Sequence, residues 1–380
     1  MMKRTFCHSV VTTFALTLAA TMFTACSSGP VAKEDACLKR RGAIDIGSGS
    51  TKAFAAVVDV CQNPKRVVEK LFDEKVKISF GESVEGSTSI EFSNDVITDA
   101  SAKIATFVEQ MNAKNLQSID LVATAAFRKA KNGAAAANLI SDAIVARLKG
   151  STHLSAESLR IQILTQEKEA ELGARSAVSN LPASPNSSET LIVWDIGGGS
   201  MQMFAKPAPS SVTTASAAPT LFAGDLASVT FKNRVIKEIQ KKDPTLVKSP
   251  NPLKPSPKSS DVKKAVTMAR DDAKKNVPDF FKHGGAAARW IGIGGVLAIS
   301  VQKQVERESG GSGHHGESFT AKDVSTTLDA RATRKDEEIE SDYRETEVTN
   351  LALVLGYMEA LKIDKVETVE ASLTQGLVCR

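Results

Sequence analysis

Two kinds of pattern alternate along this chain. Some stretches are apolar and strand-like, and others repeat apolar positions every three to four residues; glycine turns separate them. "GAIDIGSGSTKAFAAVVDV" (42–60) has two apolar arms about a Gly/Ser turn and predicts a hairpin. "VVEKLFDEKVKISF" (67–80) predicts a third strand with its approach. "ITDASAKIATFVEQMNAKN" (97–115) carries Ile104, Phe107, Val108 and Met111 at helical spacing. "IDLVATAAF" (119–127) reads as a buried strand, "AAAANLISDAIVARLKG" (134–150) as a helix stopped by Gly150, "LRIQIL" (159–164) as a strand and "EKEAELGARSAVSN" (167–180) as a helix. "TLIVWDIGGGSMQMFA" (190–205) then begins a second hairpin. Alternating strands and helices indicate an α/β protein. The repeated hairpin, about 150 residues on, indicates an approximate duplication into two similar lobes facing each other, since that period is too long for a solenoid.

The pattern also sets expected boundaries. Residues 1–25 read as a signal peptide, 26–40 as a tether, 41–168 as lobe I and 169–380 as lobe II. Low-complexity insertions are expected near 206–220, 243–262 and 307–317. The first of these, "KPAPSSVTTASAAPT", reads as a long hairpin loop. The Pro/Ser/Lys-rich "DPTLVKSPNPLKPSPKSSD" (243–261) reads as a surface insertion unable to bury a core. "RATRKDEEIESDYRETE" (331–347) reads as a solvated helical face. His314 and His315 have no neighbouring carboxylate or cysteine spacing, so a metal site there is not expected.

Composition narrows the options. With 380 residues, 42% apolar and 24% charged, the chain is globular and long enough for two domains. A formal charge of +4, with two Trp and two Tyr, argues against a surface that coats or stacks on a nucleic-acid duplex. The basic start, the apolar "SVVTTFALTLAATMF" and "FTACSSG" resemble a bacterial lipoprotein signal with Cys26 as the lipidated residue, although Phe23 stands where Leu is usual. A plain secretory signal is the alternative. Lipidation would anchor the chain to a membrane of the bacterial cell envelope, at the periplasmic face or outer membrane. Cys37 and Cys61 lie symmetrically about Gly49, so an antiparallel hairpin would place them within bridging range; two unrelated thiols are the alternative.

The glycine turns carry the candidate chemistry. Glycines permit positive φ and close backbone approach, and main-chain N–H groups can then face phosphate oxygens. Gly47, Ser48, Gly49 and Ser50 form the first candidate cradle, with Thr51 beside it. Gly197, Gly198, Gly199 and Ser200 form the second. Gly294 and Gly295, in "WIGIGGVLAIS" (290–300), enter an apolar helix and form the third. Asp45 and Asp195 end the strands before the first two turns. A carboxylate beside a phosphate needs a divalent cation between them, so these two are candidate Mg²⁺ ligands, with Mn²⁺ as the alternative ion. Each turn alone is a weak signal, and the three together are specific.

In this order the motifs resemble the exopolyphosphatase and guanosine pentaphosphate phosphohydrolase (Ppx/GppA) family of the actin-like superfold. The resemblance runs from about Gly42 to Leu377, through "AIDIGSGSTKAF", "ATAAFRKAKN", "IQILTQEKEAELGA", "LIVWDIGGGSMQMF", "WIGIGGVLAIS" and "VEASLTQGLV". It implies two lobes of the actin-like ATPase (ribonuclease H-like) fold with a cleft between them. It also implies Mg²⁺-dependent removal of terminal phosphate from inorganic polyphosphate or guanosine pentaphosphate. Glu169 matches the catalytic glutamate that polarises water, and Arg128 matches an arginine that meets phosphate. Read without the motif order, Glu167, Glu169 and Glu171 could equally be a solvated helix face and Arg128 a surface charge. Three positions depart from the family: Gly49 replaces Asn, Gln202 replaces Glu and Val296 replaces Thr. They leave open weakened activity, or a non-catalytic lipoprotein that binds phosphate or nucleotide in the same fold. A sugar-kinase-like or ectonucleotidase activity is a third alternative, of which the kinase is disfavoured because it would need exported ATP. A homodimer is an option the sequence leaves open.

Overall fold

The computed structural model describes residues 36–85, 89–181, 189–206, 220–247, 253, 260–284, 288–310, 317–339 and 344–380. Residues Cys37–Arg380 form one unit. Eleven strands are described: β1 (Leu38–Ile46), β2 (Ser50–Asp59), β3 (Arg66–Lys77), β4 (Ser118–Ala123), β5 (Ile161–Ile163), β6 (Leu191–Ile196), β7 (Met201–Lys206), β8 (Thr220–Gly224), β9 (Arg289–Ile293), β10 (Ser318–Thr320) and β11 (Lys365–Thr368). The helices are α1 (Phe80–Glu85), α2 (Asn94–Asn112), α3 (Ala125–Lys129), α4 (Gly133–Leu148), α5 (Gln166–Asn180), α6 (Ser228–Arg234), α7 (Ser260–Asn276), α8 (Asp279–Gly284), α9 (Gln302–Glu308), α10 (Ala321–Arg331), α11 (Arg344–Leu361) and α12 (Leu373–Val378). A π-helical segment, Gly295–Val301, leads into α9.

The strands form two sheets, ordered β3-β2-β1-β4-β5 and β10-β11-β9-β6-β7-β8. Each is built the same way. A glycine-turn hairpin (β1–β2, β6–β7) takes a third antiparallel strand on one side, and the hairpin's first strand takes a parallel strand on the other. The duplication expected from the repeated hairpin is thus a repeat of topology, and the architecture is the two-lobed α/β one.

One face of the first sheet packs on α2 and α4 through Ile104, Val108, Met111, Ile140 and Ile144. The second sheet covers Trp194, Phe231, Phe281, Trp290 and Tyr357 with its helices. Helix α5 is shared: Leu172 packs with Phe54, Val122 and α12, whereas Ala174 and Ala177 pack with Val193 and Ile293 of the second sheet. Its first turn therefore lies where both sheets meet. Thr165 caps α5 by accepting from the Lys168 N–H at 3.3 Å, and two glutamates in the first turn suit the positive end of the helix.

Several details differ from the sequence expectations. The strand read over 119–127 ends at Ala123, because Phe127 is drawn into α3 by Phe80 and Phe92, at centroid distances of 4.8 Å each. The strand read over 159–164 is three residues long. Cys37 and Cys61 form a disulfide with Cα atoms 5.2 Å apart. The ladder pairs Leu38 with Asp59, and the Val60 N–H donates to the Cys37 carbonyl. The hairpin's centre is thus half a residue from Gly49, and the bridge runs diagonally. The insertion read as unable to bury a core contributes Leu253, which is fully buried in the second lobe's core. Nor is the 331–347 charge run only a solvated face. Arg331 is 2% exposed and binds Glu308 and Glu347, at 3.1 and 3.4 Å, because a buried guanidinium needs charged partners. Cys26, residues 207–219, His314 and His315 lie outside the described residues.

The burial of Leu253 gives a direct prediction. Leu253→Ala should lower unfolding stability by about 2–5 kcal/mol, as for other buried leucines. Urea denaturation measures it, and a free surface loop would show a change near zero.

Candidate active site

The two hairpin turns and the third glycine turn border one cavity of about 340 Å³ between the lobes. Asp45, Asp195 and Glu169 line it, together with Gly47, Ser48, Gly49, Ser50, Gly197, Gly198, Gly199, Ser200, Gly294 and Gly295. These are all the phosphate, metal and base candidates read from the sequence except Arg128. Thr51 is buried beside the first turn and does not line the cavity; its Oγ1 lacks a partner.

The turns close identically. Gly47 N–H donates to the Ser50 carbonyl at 3.1 Å, and Gly197 N–H to the Ser200 carbonyl at 2.9 Å. Only Gly294 among these glycines has a positive φ, of 77°. In the other turns close approach explains Gly47, Gly198 and Gly199, whereas a Cβ on Gly49 would meet nothing within 4 Å. A Cβ on Gly199 would sit 3.0 Å from Ser48 Oγ and 3.3 Å from Ala125 Cβ. The first two turns therefore abut across the cleft. At Gly294 a Cβ would overlap Asp195 Oδ1, so this glycine makes room for the carboxylate as well.

The electrostatics are unusual for a surface cleft. Asp45 and Asp195 are each pushed up to about 6, mainly because burial penalises the charged carboxylate; Lys52 opposes the shift at both. Both residues keep an edge toward the cavity, yet Asp45 Oδ1 is shielded and has no hydrogen-bond partner. Glu169 is pushed up to about 7, first by burial, while Arg128 acts against the shift and the two aspartates add to it. Its side chain is 12% exposed. Of the three glutamates at the start of α5, only Glu169 turns inward: Glu171 binds Lys168 and Arg175 at the surface, and Glu167 is exposed.

Arg128 is held beneath the site. Its Nη1 donates to Glu169 Oε2 at 2.9 Å and to the Leu164 carbonyl at 2.8 Å, and its Nη2 to Ser200 Oγ at 3.5 Å. It orients the glutamate instead of lining the cavity. Gln202 faces Asp195 across the β6–β7 ladder and is buried, donating from Nε2 to Ser200 Oγ at 2.9 Å. Val296 lines the cavity as an apolar wall. Sequence reasoning missed Lys52, which stands opposite Asp45 in the β1–β2 ladder. It also passed over Lys303 and Arg307, which line the outer cavity from α9. Cross-strand pairing with Asp45 could have found Lys52; the cleft position of α9 has no local signal.

An oxygen-only donor set, with one buried carboxylate oxygen unpartnered beside a second carboxylate, fits a hard divalent cation. Main-chain turns and lysine charge opposite these acids fit phosphate oxygens.

Residues 57–218 match the Ppx/GppA phosphatase family. That span takes in Arg128, Glu169, Asp195 and the second turn, and leaves out the first and third turns. No curated protein matches the chain. Among solved structures, a Ppx/GppA family member from Aquifex aeolicus aligns with a TM-score of 0.62 at 16% identity, covering 90% of this chain and 97% of its own. An exopolyphosphatase from Cytophaga hutchinsonii aligns with a TM-score of 0.63 at 13% identity, covering 90% and 96%. An exopolyphosphatase-like protein aligns with a TM-score of 0.63 at 18% identity, covering 89% and 97%. At these identities the structures establish the shared fold. The resemblance read from the motifs is therefore borne out: this chain matches the Ppx/GppA phosphatase family in sequence over residues 57–218 and has the fold of that family's solved members over most of its length.

Proposed function

We propose that the cleft is the active site of a phosphohydrolase that releases terminal phosphate from inorganic polyphosphate or guanosine pentaphosphate, with Mg²⁺ or Mn²⁺. The observation that carries this reading is the convergence of three desolvated carboxylates, Asp45, Asp195 and Glu169, on glycine turns from both lobes. Asp45 and Asp195 would hold the cation, which neutralises charge on the phosphate oxygens when bound. The turn amides and Lys52 bind and orient the phosphates. Arg128 fixes Glu169 through Oε2. Oε1 has no hydrogen bond to protein among the described residues, so it is the oxygen that takes a proton from an attacking water.

Gln202 favours a second reading, of binding without efficient turnover. Its amide is neutral and its Nε2 donates to Ser200 Oγ at 2.9 Å, so it would hold a cation more weakly than a carboxylate at the same position.

The Cys26 motif and the Cys37–Cys61 disulfide support an exported, lipid-anchored chain, because disulfides persist in oxidising compartments.

Five outcomes test these proposals. Glu169→Gln should lower phosphate release by about 10²–10⁴-fold. In the wild type kcat/KM should rise with pH along a limb centred at or below about 7, since the deprotonated form is the base and a cation would lower its pKa. Equal release by wild type and variant, across polyphosphate, guanosine pentaphosphate and ATP, contradicts the enzyme reading. Millimolar Mg²⁺ or Mn²⁺ should raise the wild-type melting temperature by a few degrees through preferential binding to the folded state. Asp45→Asn should abolish that shift, and an undiminished shift places the ion elsewhere. Gln202→Glu should raise Mg²⁺-supported turnover; no change removes the missing carboxylate as the limit. Mass spectrometry should find an acyl adduct on Cys26 that Cys26→Ala lacks, whereas an unmodified Cys26 at a free mature N-terminus contradicts anchoring.

A further inference from the structure

We propose that Lys129 is a positioning residue that locks the second glycine turn from the opposite lobe by holding the Gly199 carbonyl. The run Gly197–Gly198–Gly199 has the greatest backbone freedom of any three residues, so its shape must be imposed by contacts. The contacts are specific. The Gly197 carbonyl accepts from Ser228 N–H at 3.1 Å, and the Gly198 carbonyl from Val229 N–H at 2.9 Å, both on α6 in the same lobe. The Gly199 carbonyl accepts from Lys129 Nζ at 2.8 Å, across the cleft from α3. All three carbonyls are thereby held by donors.

The chemistry follows from peptide planarity. A carbonyl and the next residue's N–H point in opposite directions in one rigid unit. Fixing the Gly199 carbonyl fixes the Ser200 N–H, and the same relation applies to the two preceding peptides. A flipped Gly199–Ser200 peptide would exchange the positions of donor and acceptor in a turn that borders the cavity. The first two peptides are secured by main chain within their own lobe; the third depends on one side chain from the other lobe. Lys129 has no carboxylate partner among the described residues and is largely exposed, so its ordered role here is the grip on this carbonyl. Arg128 reaches the same turn only at 3.5 Å and is committed to Glu169. Lys129 therefore couples the first lobe to the amide array of the second turn, from a position that does not line the cavity.

The catalytic part of this inference rests on the proposed function, and the structural part does not. Hydrogen–deuterium exchange of ligand-free wild type, Lys129→Met and Lys129→Arg reads the lock without turnover. Lys129→Met should speed exchange across residues 195–204 by about tenfold, the scale expected for losing a charge-assisted hydrogen bond, with exchange in β4 unchanged as the check on folding. Lys129→Arg, which can still donate, should keep most of the protection. In phosphate-release assays Lys129→Met should raise KM about tenfold and change kcat by less than about threefold, again restored by arginine. Unchanged exchange in Lys129→Met overturns the proposal, including the case where KM rises, because Lys129 would then be acting on substrate directly. If wild type itself releases no phosphate, the functional reading fails while the exchange result still decides the lock.

Discussion

Everything in the cleft depends on bringing three carboxylates out of water around one cavity. Such an arrangement is unfavourable on its own, because burial penalises each charge and the charges repel. The raised pKa values of Asp45, Asp195 and Glu169 express that cost directly. The fold tolerates it because the carboxylates face positive groups and donors: Lys52 beside both aspartates, Arg128 on Glu169, and glycine turns opposite. The same imbalance that disfavours the ligand-free cleft favours a cation and phosphate within it.

The duplicated sheet explains how the arrangement is reached. In each lobe an aspartate ends the first strand of a hairpin, next to a parallel neighbour, so both acids emerge at the same edge of their sheets. Helix α5 packs between the two sheets and delivers Glu169 from its capped first turn. The turns then need small residues because they meet: Gly199 has Ser48 and Ala125 within 3.0–3.3 Å of where a side chain would begin.

Much of this was legible in the residues. The strand–Asp–glycine-turn pattern occurs twice and marks both hairpins and both acids, since alternation and turn chemistry are local signals. The inward turn of Glu169 was not separable from its neighbours Glu167 and Glu171 by pattern alone; packing of α5 between two sheets decides it. The ion pair of Arg128 with Glu169 was not legible because the two are 41 residues apart in sequence. Leu253 was hidden in a Pro/Ser/Lys-rich segment, where composition averages away one buried side chain. Arg331 and Glu347 looked like surface charge because ion pairing across helices has no local spacing. The contact of Lys129 with Gly199, 70 residues away, likewise leaves no local trace.

The most direct test of the central claim is the position of the cation. Anomalous diffraction from crystals grown with Mn²⁺ locates the ion without reference to turnover. The account predicts a peak in the cleft, at coordination distance from the Asp45 and Asp195 carboxylates. A cleft that binds no ion at saturating Mn²⁺, or a peak that touches neither aspartate, would contradict it.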